Sequence, residues 1–136
     1  MNIKYLPEND LMYIYLATGV PNTQTKTAHE EISKFVAKAD KKQVIGYEVE
    51  SASKNMKYVL TKLDLTRKQK LAVCLFFIRE SSGKTQREFS DLLAISESTY
   101  KNIEKAEHNI NFDTLDVILK KFQKEPIMED VFDLSG

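Results

Sequence analysis

Three helix-opening signals crowd into the stretch from Thr85 to Asn111, and the spacing between them leaves room only for short helices joined by tight turns. Thr85 with Glu88 three residues on forms a capping box, opening a helix with apolar positions Phe89, Leu92 and Leu93. Ala94-Ile95 follow, and Ser96 is a second N-cap. Its helix turns Tyr100 and Ile103 inward and leaves Glu97, Ser98, Lys101 and Asn102 outward at helical spacing. Asn111 is a third cap, starting a helix with Phe112, Leu115, Ile118, Leu119 and Phe122 on one face, which supplies core for the short pair. Upstream, Leu71, Cys74, Leu75 and Ile78 form an equivalent stripe. Phe76 and Phe77 are neighbours on that helix and point about 100° apart, so the stripe cannot take both rings.

Two helices joined by so few residues cross steeply, which is helix-turn-helix geometry, with the second helix placed to enter a DNA major groove by its N-terminal half. With Arg79, Thr85-Gln86, the outward row and Glu104 in this order, the segment over about residues 66–123 resembles the Xre/Cro/cI-like family of DNA-binding domains. The resemblance implies that Gln86 hydrogen-bonds a backbone phosphate and that Arg79 pairs with Glu104 as a structural ion pair. It implies base-facing positions at Glu97, Ser98, Lys101 and Asn102, with Thr99 near the phosphates. The full set expected to touch DNA is Thr85, Gln86, Glu97, Ser98, Thr99, Lys101, Asn102, Lys105 and Asn109. The chain departs from the family pattern at Ala106, where a glycine is usual, at Lys84, where an apolar residue is usual, and at Glu107, where bases are common.

Several of these residues carry a plainer reading beside the functional one. Arg79 and Glu104 read as a fold-holding pair, since a guanidinium fork satisfies a semi-buried carboxylate better than lysine does. Lys101 and Asn102 fit either a solvated helix face or a groove-facing one. For Glu97 two readings stand equally: a first-turn carboxylate stabilises the helix dipole and repels phosphate, and it also accepts from cytosine. Cys74, on an apolar face, reads as a small buried hydrophobe.

Charge is distributed in a way that suits this reading. The formal net charge is zero over 136 residues, yet residues 66–124 carry 11 Lys/Arg against 8 Asp/Glu, while residues 125–136 carry 4 acids and no base. So modest a surplus implies weak binding by a single copy, because phosphate neutralisation supplies most non-specific affinity. One cysteine excludes a disulfide framework and a cysteine-built zinc site. The apolar run Ala72–Ile78 is too short to cross a bilayer, and no signal peptide is evident, so a soluble cytoplasmic protein is expected.

The N-terminal half follows a different period. Asn2–Leu6 and Leu11–Leu16 alternate, Leu11, Tyr13 and Tyr15 against Met12, Ile14 and Leu16, about the turn Pro7-Glu8-Asn9-Asp10, which reads as a hairpin. Thr18–His29 is polar and reads as a loop. Ser33–Ala39 and Gln43–Glu50 resume strand patterning around Asp40-Lys41-Lys42, giving four strands in meander order. A helix over Ala52–Leu63 carries Met56, Val59, Leu60 and Leu63 at core spacing. Tyr5, Asp10, Tyr13, Ile14, Leu16, Asp40 and Gly46-Tyr47-Glu48-Val49 resemble the pattern of a small β-rich bacterial family of unknown function, which implies a fold and no activity. The fold class expected for the chain is α+β. Residues 1–63 form a small antiparallel β-meander with one covering helix, and residues 64–136 form an all-α five-helix lambda-repressor-like domain with a short acidic tail.

Catalytic apparatus is not expected. His29 beside Glu30 and Glu31 is the one cluster with metal or acid–base flavour, and the other histidine, His108, lies in the other half. There is no glycine-rich phosphate loop or nucleophile elbow, no enzyme is expected and no cofactor is implied. Two function classes remain. One is a transcriptional repressor or autoregulator binding a palindromic operator as a homodimer, with the β-rich half serving dimerisation or sensing. The other is an antitoxin-like protein whose β-rich half grips a partner protein, a toxin, while the helical half represses its own operon.

Overall fold

The computed structural model describes residues 1–107, 109–122 and 125–128. The chain divides into two compact units, Met1–Met56 and Lys57–Gly136, with the division inside the first helix, whereas the sequence placed it after Leu63. The α+β class stands: a five-stranded antiparallel sheet comes first and five helices follow among the described residues.

The first unit is built on β1 (Asn2–Leu6), β2 (Leu11–Tyr15), β3 (Asn22–Lys26), β4 (Ile32–Ala37) and β5 (Val44–Val49), in the spatial order β1-β2-β5-β4-β3. The sheet differs from the sequence expectation in two ways. The polar stretch taken as a loop contains β3, and the strands do not form a meander, because β5 inserts between β2 and β4. β3 escapes hydrophobic patterning because it is an edge strand with all five residues exposed, and its one β-favouring signal is Thr23 and Thr25. Thr27 donates its hydroxyl to the Ile32 carbonyl at 2.6 Å, tying this hairpin shut. The central place of β5 follows from its composition: Ile45, Tyr47 and Val49 are buried, as suits a strand flanked on both sides.

Alternation sets the faces. Met12, Ile14, Ile32, Val36, Tyr47 and Val49 are buried, while Tyr13, Tyr15 and Phe35 stay half-buried. α1 (Ala52–Lys62) buries Ala52, Asn55, Met56, Val59 and Leu60, a period that only a helix gives; Leu63, expected in this stripe, lies beyond it and is half-buried. The start of α1 is fastened to the β1–β2 turn. Asp10, in the left-handed region at φ 49°, accepts from the Ser53 backbone N–H and hydroxyl and from Tyr5 Oη at 2.6 Å. Burial opposes the Asp10 charge, but the Ser53 and Tyr5 hydrogen bonds outweigh it and hold the carboxyl below its ordinary range. Glu31 provides a second tie, to Ser51, Lys54 and Asn55, which together lower its carboxyl to about 2. His29 Nδ1 accepts from the Glu31 backbone N–H at 3.1 Å, closing a local turn.

The second unit continues through α2 (Arg67–Ser81), α3 (Gln86–Leu93), α4 (Glu97–Lys105) and α5 (Phe112–Lys121). Each opens on a side-chain cap, Thr66, Thr85, Ser96 and Asn111, and the first two are full capping boxes with Gln69 and Glu88. The expected α2 stripe is buried, as are Ala72, Val73 and Phe76, so Phe77 is the surplus ring and is half-buried. Phe89 is the centre of the small core, edge-to-face with Tyr100 at 5.3 Å and stacked on Phe122 at 5.4 Å. Two positions read as core are not. Leu92 is 38% exposed and Phe112 85% exposed, each beyond the reach of its helix's inward face.

Candidate nucleic-acid interface

The turn between α3 and α4 is set by Ala94, which takes the left-handed conformation at φ 56° and lets the chain reverse at once into the Ser96 cap. Ser96 Oγ accepts from the Thr99 backbone N–H at 3.0 Å and donates to Thr99 Oγ1 at 2.8 Å, fixing the first turn of α4. α4 is then anchored from beneath. Tyr100, Ile103 and Glu104 are buried, which forces the remaining positions of a nine-residue helix outward.

Glu104 is the polar anchor. Arg79 Nε and Nη2 donate to its two carboxylate oxygens at 2.7 and 3.1 Å, a two-pronged pair with side chains 10% and 7% exposed. Arg79 Nη1 also donates to the Lys84 carbonyl at 3.0 Å, and its guanidinium lies over the Phe76 ring at 5.2 Å. Burial disfavours the Arg79 charge, but the Glu104 hydrogen bonds and charge outweigh it, so the guanidinium is held more firmly protonated than usual. The same burial, with the Glu104 carboxylate beside it, pushes the Tyr100 phenol up. α2, the α2–α3 link and α4 are thus clamped through one ion pair.

The outward residues of α4 gather on one side. Glu97, Ser98, Lys101, Asn102 and Lys105 border an open hollow of about 430 Å³. Thr99 and Asn102 also border a second hollow of about 240 Å³ with Asn109, Asn111 and Thr114, where the chain returns to start α5. Asn102 is common to both. Lys101 Nζ lies 3.2 Å from Glu97 Oε1 one turn earlier, so the two charges assigned to base contact are paired with one another.

Two assigned residues stand apart at the start of α3. Thr85 is exposed but its side chain is committed to the cap, accepting from the Glu88 N–H at 3.1 Å. Gln86, assigned to a phosphate, turns inward and donates Nε2 to Glu104 Oε1 at 3.0 Å. Three residues outside the expected set lie beside it: Arg87, exposed directly after Gln86, and Asn111 and Thr114, whose cap geometry brings them to the second hollow. The three departures from the family pattern also have places: Ala106 is left-handed at φ 55°, Lys84 is half-buried with its carbonyl used by Arg79, and Glu107 is exposed.

No helix among the described residues is long and apolar enough to cross a membrane, and no group of three or more His, Cys, Asp or Glu among them is arranged to hold a metal ion. No curated protein and no solved structure matches the chain. Residues 77–127 match the family model described as Helix-turn-helix, from the last turns of α2 to beyond α5; the match supports a DNA-binding regulatory module in this half and does not extend to the sheet.

Proposed function

We propose that the protein is a sequence-specific transcriptional regulator, a repressor or autoregulator, that binds a palindromic operator as a homodimer with α4 in the major groove. The observation that carries this reading is the geometry of α4: its inward side is locked by Tyr100, Ile103 and the Arg79–Glu104 clamp, and its outward side groups Glu97, Ser98, Lys101, Asn102 and Lys105 on one hollow. Lysine and asparagine are the side chains that reach guanine and adenine edges, and the rigid support fixes their register. Thr99, Asn109, Thr85, Gln86 and the neighbouring Arg87 are assigned to the phosphates. For Gln86 that contact requires its amide to leave Glu104, which keeps both Arg79 donors when it does.

Selection from a random duplex library with the full chain tests the reading. The expected product is a motif with two inverted half-sites whose centres lie about 34 Å, one helical turn, or a multiple of it apart. Recovery of no enriched sequence after selection contradicts it.

A further inference from the structure

At one end of the sheet lies a cavity that the DNA reading does not use. Two of its walls are aromatic: Tyr15 of β2 and Phe35 of β4, which face one another across Gly46 of β5 with ring centroids 6.2 Å apart. The β2–β3 link, Ala17–Val20, borders it from another side, shaped by Gly19 at φ 71°. Asn2, Lys4, Thr18 and Asn22 are its polar residues, and the Asn22 amide nitrogen also donates to the Val20 carbonyl at 2.9 Å. No carboxylate lines it, and Lys4 makes no ion pair among the described residues. The volume is about 290 Å³, at the small end for ligand sites.

We infer that this cavity binds a small planar anion, a single aromatic or heteroaromatic ring bearing one carboxylate or phosphate group. The ring packs against Tyr15 and Phe35, where apolar area and stacking act together. The anionic group reaches the Lys4 ammonium, with the amides of Asn2 and Asn22 and the Thr18 hydroxyl at hand as hydrogen-bonding groups. Gly46 has a part in this. It pairs with both Tyr15 and Phe35 and carries no side chain of its own, and a Cβ there would strike the Ile14 carbonyl oxygen. The inference does not depend on the DNA reading, since every residue it uses lies within the first unit.

Titration of the isotope-labelled full chain with benzoate, phenyl phosphate and the uncharged benzyl alcohol, followed by amide chemical shifts, is the test. Benzoate or phenyl phosphate is expected to shift amides of Asn2–Lys4, Tyr15–Asn22 and Phe35. The preferred anion tells whether a carboxylate or a phosphate is the natural head group. Lys4→Gln is expected to weaken the preferred anion about tenfold, the share of a charge-assisted contact, and to leave benzyl alcohol unchanged. Phe35→Ala is expected to weaken all three probes. No saturable shift with either anion overturns the inference, as does binding that Lys4→Gln leaves unaltered or shifts confined to residues outside the cavity.

Discussion

Gly46 lies where β5 comes so close to β2 that a Cβ would run into the Ile14 carbonyl oxygen and press on Tyr15 Cα at 3.2 Å. Backbone atoms cannot yield as a flexible side chain can, so Gly46→Ala is expected to cost roughly 1–3 kcal/mol, seen as a lower urea midpoint. Arg79 sets a comparable demand in the second unit. Arg79→Ala strands a carboxylate that is 7% exposed, at a cost of about 3–5 kcal/mol. Equal melting temperatures for wild type and Arg79→Ala would show that the clamp carries no stability. The pair was anticipated only through the family resemblance, which places an arginine and a glutamate at the positions of Arg79 and Glu104. The inward turn of Gln86 was not, since an amide one residue past a cap serves a phosphate or a buried carboxylate equally well, and only the distance to Glu104 decides.

Among the elements, the helices of the second unit were legible because each begins with a side-chain cap and holds an apolar stripe; the sheet order was not, because alternation fixes faces and leaves neighbours undetermined. β3 shows the limit, an exposed edge strand with no apolar face to announce it. Two helix ends carry strain that sequence alone could only suggest. Ala94 and Ala106 occupy the left-handed region, where an L side chain costs about 1–2 kcal/mol. Ala106→Gly is therefore expected to raise stability by about 1 kcal/mol by denaturant titration, with DNA affinity unchanged or improved. The tie between Glu31 and α1 is a pH device. Its carboxyl is lowered from 4.5 to about 2, so its contribution is complete above about 4.5 and is lost as pH falls toward 2. Glu31→Gln is expected to narrow the stability difference between pH 6 and pH 3; an acid limb identical to wild type would contradict this role.

At the scale of the whole molecule, affinity argues for two copies. In the proposed complex one α4 would offer a few base contacts of about 1–3 kcal/mol each, whereas useful operator discrimination needs roughly 4–10 kcal/mol over non-specific DNA. The balanced charge of the chain, 20 basic against 20 acidic residues, leaves little non-specific attraction to make up the difference. Light scattering is expected to give two chains per selected duplex, and one chain per duplex would contradict the palindromic reading. The most direct measurement is the affinity of Lys101→Ala/Asn102→Ala for that duplex beside its melting temperature. Lys101 is exposed and Asn102 half-buried, so stability is expected to change little, by about 0.5 kcal/mol per exposed site, while operator affinity falls by at least tenfold. Wild-type affinity in the folded double variant would contradict recognition through α4.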